Sequence, residues 1–211
     1  MAKVGSSSTY IKLRELGLEP IHFHWINNAA GLSSLIEHRK YKTSFKIITM
    51  ARDPVARNLS GFWAAKHRRP NKQTLKHLLR DYNQWLKSEM RMQPLIWFDN
   101  QLKKYFGVNV YQTTFPKERG YETYKKDNIE VLVMRTEDLT KVAPQAVSNF
   151  LDIDFGSLRH LNSGKKPGIY KKFKQHLKMP KKYLDEMYNS KYARHFYTDN
   201  EIESFYRKWH H

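Results

Sequence analysis

The sequence contains no cysteine among its 211 residues. A disulfide framework, a zinc site built on thiolates and a thiol nucleophile are therefore excluded. Acidic residues are also few, 20 against 38 lysines and arginines, which gives a formal net charge of +18. This excess of positive charge predicts an anionic partner, substrate or cofactor, and nucleic acid, an acidic polysaccharide, a membrane surface and a polyphosphorylated nucleotide all fit.

Long apolar runs are missing as well. No stretch approaches the roughly 20 apolar residues that a membrane-spanning helix needs, and the N-terminal segment lacks the apolar core of a signal peptide. No linker rich in Pro, Gly and Ser divides the chain, whose length suits one well-buried domain. The sequence predicts a single domain over residues 1–211, located in the cytoplasm without a membrane span, with peripheral contact to a membrane surface left open.

The apolar pattern alternates between strand and helix along the chain. Tyr10, Leu13 and Leu16 have helical spacing, and Gly17 is suited to end that short helix. Strands are predicted over 20–26, 44–51, 108–112 and 129–134, and further helices over 54–67, 71–106 with a break near Pro94, and 136–153. The alternation predicts an α/β fold with a parallel sheet flanked by helices, whose ligand site lies at the carboxyl ends of the strands.

The stretch "KVGSSS", residues 3–8, combines residue types that bind phosphate. A glycine permits a tight turn, backbone amides can converge on an anion, serine hydroxyls can donate to it, and a lysine can reach it. The helix predicted directly after it would add the positive end of its dipole. A disordered, Ser-rich tail is the alternative that the stretch alone leaves open.

A second candidate segment is "ARDPVARNLS", which follows the predicted strand 44–51. Asp53 is suited to cap the next helix and Pro54 to its first position. Arg52 and Ser60 lie eight residues apart, so the backbone between them decides whether both reach one phosphate. A surface arginine and a solvent-facing serine are the alternative. A Walker A motif is absent from the sequence, so nucleotide hydrolysis is not indicated.

Together the two segments resemble the phosphate motifs of sulfotransferases that use 3′-phosphoadenosine 5′-phosphosulfate (PAPS). "KVGSSS" looks like their 5′-phosphosulfate loop and "RDPVARNLS" like their 3′-phosphate motif. The whole chain resembles the carbohydrate-type branch, and more closely a bacterial family described as putative capsular polysaccharide synthesis proteins, also in "WFDNQLKKYFGVNVY", "VLVMRTEDL" and "KYARHFYTDNEIESFYRKW". The resemblance implies a P-loop-like parallel sheet and transfer of a sulfuryl group from PAPS to a hydroxyl of a carbohydrate acceptor, which the basic charge allows to be acidic.

The resemblance also implies roles for individual residues. The residues expected to hold the 5′-phosphosulfate are Lys3, Gly5, Ser6, Ser7 and Ser8. Arg52 and Ser60 are expected to hold the 3′-phosphate, and Lys165 and Lys166, within "NSGKKPG", to be further nucleotide contacts.

Removing the proton of the acceptor hydroxyl requires a base, and histidine has the unperturbed pKa nearest neutrality. His22 and His24 lie between the two phosphate segments, and the resemblance favours His24 as the base with His22 as its neighbour. Packed core histidines are the alternative, and Glu37 and Asp99 are lesser candidates. A metal site completed by His38 or His67 is not predicted, because no carboxylate or thiolate stands at ligand spacing.

Two other functions stay open: a basic nucleic-acid-binding protein, given the lysines interleaved with Tyr and Phe in 165–183 and 191–209, and an inactive relative of the sulfotransferases. In this family a strand should lead into the phosphosulfate loop, whereas only Met1 and Ala2 precede Lys3. We therefore expect an N-terminally truncated sequence that lacks the first strand of its sheet. The oligomeric state is not predicted.

Overall fold

The computed structural model describes residues 3–26, 44–67, 74–158 and 168–210. The chain divides into two compact units, the first comprising 1–52 and 96–161 and the second 53–95 and 162–211. The strands are β1 Phe45–Ala51, β2 Tyr121–Lys126 and β3 Ile129–Arg135. The helices are α1 Ser6–Glu15, α2 Pro54–His67, α3 Leu75–Trp85, α4 Gln93–Trp97, α5 Lys104–Phe106, α6 Leu139–Leu151, α7 Gly168–His176, α8 Lys181–Tyr188, α9 Lys191–Phe196 and α10 Asp199–Trp209. A π-helix, Phe98–Lys103, joins α4 to α5.

The first unit is built on a mixed three-stranded sheet with the order β1-β3-β2. β1 pairs in parallel with β3, from Phe45 opposite Ile129 to Ala51 opposite Arg135. β2 pairs antiparallel with β3 in a hairpin whose turn contains Asp127 with a φ of 54°. β3 is the central strand and is almost continuously apolar and buried, as expected of a strand that is covered on both faces.

Helix α6 follows β3 and packs on the sheet. Its buried side chains recur at three- and four-residue intervals, which is the spacing of one helix face: Leu139, Val142, Ala143, Ala146, Val147 and Phe150. Burial of this face fixes the start of α6 next to the carboxyl end of β3.

The second unit is helical, and helices α2, α3 and α7 to α10 surround one apolar core. Phe62 of α2 lies against Tyr82 of α3, with 4.9 Å between ring centroids, and against Phe173 of α7, with 5.9 Å. Burial of these rings stabilises the core, and ring pairs at such separations attract one another in addition.

Several predicted elements are confirmed and others were wrong. The strands 44–51 and 129–134, the helix ended by Gly17 and the helix starting at Pro54 are present. Segments 20–26 and 108–112 were wrong as strands: 20–25 is irregular, and Val110–Gln112 is a 3₁₀ turn capped by the Asn109 side chain. In residues 71–106 the described α-helix is interrupted over 86–92, where Glu89–Met92 is a 3₁₀-helix, so the predicted break near Pro94 is confirmed and extends toward the N-terminus; Pro94 itself fits the first turn of α4.

The prediction of a parallel sheet was wrong in part. The sheet is mixed because β2, a strand that the sequence did not predict, pairs antiparallel with β3. Its sequence "YETYKK" carries too many charged residues to give an apolar run. The α/β class is confirmed, while the P-loop-like architecture, the missing first strand and the single-domain organisation stay predictions.

Candidate functional site

The loop before α1 has a left-handed backbone at two positions. Gly5 has a φ of 92°, in the left-handed region that favours glycine, and precedes the first residue of α1. A Cβ added at Gly5 would lie 2.8 Å from Cδ2 of the buried Leu139, so this side chain would have to move to accept any larger residue. Lys3 also has a positive φ, 65°, which is uncommon for a residue with a side chain.

Side chains from two strand ends hold this loop. The Arg52 guanidinium, directly after β1, donates from Nη1 to the Lys3 carbonyl at 2.6 Å. The hydroxyl of Thr136, directly after β3, lies 2.6 Å from the Val4 carbonyl and 2.9 Å from the Ala51 carbonyl. The loop is therefore fixed at the carboxyl ends of the two parallel strands, which is where parallel sheets place their ligands.

The electrostatics of the α1 N-terminus favour an anion. The first turn of α1 contains no acidic residue, and the first amides of a helix have no partner within the helix. The Ser8 amide donates to the Gly5 carbonyl at 3.0 Å and is engaged. Among the described residues, no acceptor is hydrogen-bonded to the amides of Ser6 and Ser7, so they are the donors best placed for a ligand.

A histidine pair adjoins the loop. Nε2 of His22 lies 3.0 Å from Oγ of Ser6, and the His22 ring stacks on Tyr10 with 5.1 Å between centroids. The His24 ring meets His22 edge-on at 5.0 Å. Partial burial lowers the pKa of the His22 imidazole from its ordinary value, so the ring is neutral at neutral pH.

Residues that sequence reasoning did not single out hold the histidine segment. The Trp97 indole donates to the His24 carbonyl at 2.9 Å, and the Gln101 side chain accepts from the Ile26 amide at 2.8 Å. Gln101 lies in the π-helix and is 4% exposed, and a π-helical turn frequently marks a functional site. Buried glutamine and Trp within "WFDNQ" were the available signal, but their partners are more than seventy residues away.

A cavity of about 400 Å³ opens in the first unit beside Ser6 and His22. Its wall consists of α1, the segment 18–23, strand β1 from Phe45 to Met50, and the side chains Trp97, Leu102, Phe106 and Leu151. The volume is in the range of small-molecule sites. The cavity, the loop and His22 together form a candidate active site within one unit.

The remaining predicted site residues lie elsewhere. Ser60 is half-buried on α2 in the second unit, whereas Arg52 belongs to the first unit, so their action on one phosphate stays a prediction. Asp99 lies in the first turn of the π-helix. Lys165, Lys166, Glu37 and His38 lie outside the described residues. Within the part of the chain that the structure describes, no cluster of three or more potential ligands suited to a metal ion is present.

Asp53 is a structural residue of the second unit. Its carboxylate accepts from the Val55 amide at 2.9 Å, from the Tyr188 hydroxyl at 3.0 Å and from the Trp209 indole at 3.2 Å. This confirms its predicted place before α2 and shows that it also joins α8 and α10 to α2. Burial raises the pKa of the Asp53 carboxyl above its ordinary value, against the opposing effect of the hydrogen bonds.

Comparison with known proteins identifies a family. The profile of the family NKWYS, described as "Putative capsular polysaccharide synthesis protein", matches residues 74–198, more than half of the chain. The chain belongs to this family. The matched span of the NKWYS family includes Trp97, Gln101 and Thr136, and it begins after the loop 3–8, Arg52 and Ser60. No curated protein and no solved structure matches the chain.

This assignment confirms the capsule-related family that the sequence resembles, and it indicates a role in polysaccharide synthesis. In the described ranges, no helix is both long and apolar enough to cross a membrane.

Proposed function

We propose that this NKWYS protein is a sulfotransferase that moves a sulfuryl group from PAPS to a hydroxyl of a carbohydrate. The observation that carries the proposal is the segment 3–8, in which the left-handed Gly5 immediately precedes α1, Ser6 to Ser8 form the first turn of α1, and side chains from two strand ends fix the backbone at Lys3 and Val4. The family supplies the carbohydrate context.

The loop residues suit the 5′-phosphosulfate. The amides of Ser6 and Ser7 donate to no other described residue, the first turn of α1 contains no acidic side chain, and Lys3 stands at the start of the segment. In the proposed complex Lys3, Gly5, Ser6, Ser7 and the Ser8 hydroxyl hold the phosphosulfate, Arg52 and Ser60 hold the 3′-phosphate, and Lys165 and Lys166 are further contacts. PAPS, when bound, supplies the sulfuryl group and a nucleotide phosphate as leaving group.

The loop also provides charge stabilisation. As the bond between sulfur and the leaving oxygen breaks, negative charge grows on the nucleotide phosphate, and the Lys3 ammonium and the α1 N-terminus stabilise it. Because these groups are already oriented by Arg52 and Thr136, little reorganisation is needed during the reaction.

The histidine pair supplies the base. A neutral imidazole accepts the proton of the acceptor hydroxyl as its oxygen attacks sulfur, and the lowered pKa of His22 keeps that ring neutral. The resemblance assigns the base to His24, whereas the contact with Ser6 and the place in the cavity wall favour His22. The cavity holds the acceptor with its hydroxyl near this pair.

Two measurements test the proposal. Isothermal titration calorimetry should detect binding of 3′-phosphoadenosine 5′-phosphate, the product nucleotide, and labelled sulfate should pass from PAPS to a polysaccharide. Salt-sensitive binding to oligonucleotides without affinity for the nucleotide would support the nucleic-acid alternative instead. Nucleotide binding without transfer to any glycan would support the inactive relative.

Variants separate the two histidines. The base should lose about 10²- to 10⁴-fold in transfer rate when replaced by glutamine, with nucleotide affinity unchanged. His22→Gln and His24→Gln are compared with His176→Gln, an exposed histidine on α7 in the other unit. Full activity in both His22→Gln and His24→Gln would remove the histidine mechanism.

A further inference from the structure

We infer that the acceptor is amphipathic: a glycoside whose sugar hydroxyl lies at Ser6 and His22, and whose apolar aglycone fills the cavity of the first unit. The inference rests on the proposed function for the reaction at the hydroxyl, but the cavity itself carries the choice of ligand class.

The cavity wall is mainly apolar. It combines aromatic rings with branched aliphatic side chains on opposite elements: Tyr10, Leu13, Phe23, Phe45, Ile47, Ile48, Trp97, Leu102, Phe106 and Leu151. A site for an unmodified sugar presents hydrogen-bonding groups to most of the ring hydroxyls. A wall of this composition instead binds apolar ligand surface, because removal of that surface from water is favourable.

Polar side chains make up the smaller part of the wall: Ser6, Thr9, Glu19, His22, Lys46 and Thr49. Ser6 and His22 form one polar pair at the loop. The Lys46 ammonium is held by the Phe150 carbonyl at 2.6 Å and lies 5.4 Å from the Phe150 ring centroid. Thr9, also in the wall, is 2% exposed, and its buried Oγ1 has no partner among the described residues. A ligand whose polar end lies at Ser6 and His22 meets hydrogen-bonding groups there, and its apolar part meets the apolar side chains of the wall.

The rim of the cavity continues the apolar surface. Leu18 and Ile21 belong to the wall and are nevertheless 38% and 61% exposed. Leu16 is exposed to a similar extent, at 39%, but lies outside the wall and is not part of this surface. Exposed large apolar side chains that adjoin an apolar cavity extend the surface available to a long aglycone beyond the cavity itself.

The inference is tested with n-alkyl β-D-glucosides from methyl to octyl, titrated calorimetrically into the full chain without nucleotide. Each methylene that enters the cavity should tighten binding about fourfold until the cavity is full. Affinity that is independent of chain length overturns the inference. So does a concentration-dependent dimer that the glucosides do not dissociate, since a second copy would then occupy the site.

Two neighbouring leucines provide a matched pair of variants. Leu18→Gln should weaken octyl glucoside binding about tenfold and leave methyl glucoside unchanged, because Leu18 lies in the wall. Leu16→Gln is the control, since Leu16 is equally exposed and lies outside the wall. Equal effects of both substitutions would contradict the assignment. Both positions are exposed enough that folding is retained.

The outcome is distinguishable from that of the proposed function. The glucoside titrations need no PAPS, so chain-length-dependent binding without any nucleotide affinity leaves the cavity ligand supported and removes only the sulfotransferase. Conversely, nucleotide binding together with a glucoside affinity that does not depend on chain length supports the sulfotransferase and removes the apolar cavity ligand.

Discussion

Replacement of Gly5 by alanine tests the loop most sharply, because two separate costs fall on one residue. An L-residue in the left-handed region costs about 1–2 kcal/mol relative to glycine. The new Cβ would in addition lie 2.8 Å from Cδ2 of Leu139, which is 1% exposed and has little room to move, and repacking of this kind costs about 1–3 kcal/mol. Gly5→Ala should therefore lower the free energy of unfolding by about 2–5 kcal/mol.

Gly17 provides the matched control. It ends α1 with a φ of 80°, and nothing lies within 4 Å of an added Cβ. Gly17→Ala therefore carries the backbone cost alone, and the entropy that alanine removes from the unfolded chain is the same in both variants. In urea unfolding followed by circular dichroism, Gly5→Ala should lose about 1–3 kcal/mol more than Gly17→Ala. Equal losses would refute the required close approach of Gly5 to α6.

Three further predictions concern the groups around the loop and the second unit. Thr136→Val removes the hydroxyl at the Val4 and Ala51 carbonyls, so it should lower the free energy of unfolding by about 1 kcal/mol and weaken nucleotide binding in calorimetry. The control Thr123→Val, at an exposed position of β2, should change neither quantity. An unaffected nucleotide affinity in Thr136→Val would contradict the role of Thr136 in holding the loop. The pKa of His22 is lowered, so if His22 is the base, transfer should be constant above its ordinary value of 6.5 and fall only at more acidic pH; a rate that rises on acidification would exclude a neutral His22 as the base. Asp53→Ala leaves the Tyr188, Trp209 and Val55 donors without their acceptor and should lower the free energy of unfolding by about 2–4 kcal/mol. Because the pKa of Asp53 is raised in the folded chain, the folded chain binds more protons than the unfolded chain between pH 3.8 and that raised value, and the contribution of Asp53 to stability falls as pH rises through this window. Asp53→Asn should abolish that pH dependence in denaturation curves recorded across pH.

Local signals were sufficient for several elements. The apolar runs at 44–51 and 129–134 predicted β1 and β3 because strands buried on both faces show no alternation. Asp53 followed by Pro54 predicted the start of α2, and Gly17 the end of α1, because caps depend on neighbouring residues. The turn at Gly5 was likewise predicted from its residue type, whereas Ser6 to Ser8, expected in the loop, form the first turn of α1, and phosphate binding by "KVGSSS" stays a prediction.

Long-range contacts explain what the sequence did not reveal. Segment 20–26 alternates like a strand, yet Trp97 and Gln101 bind its backbone in place of a neighbouring strand. Thr136 reaches Val4 across 132 positions, and no local pattern indicates such a partner. β2 was missed because its pairing with β3, and not its own apolar content, makes it a strand. Roles for Arg52, Ser60 and His24 stay predictions.

The central claim is that the loop before α1 binds the phosphate end of a nucleotide. Its most direct test is calorimetric titration of 3′-phosphoadenosine 5′-phosphate into the unaltered chain and into Lys3→Ala, with Lys12→Ala, a lysine further along α1, as the control. We predict binding to the unaltered chain, a loss of about tenfold to a hundredfold in Lys3→Ala, and little change in Lys12→Ala. Absence of binding to the unaltered chain, or equal affinity in Lys3→Ala, would contradict the claim.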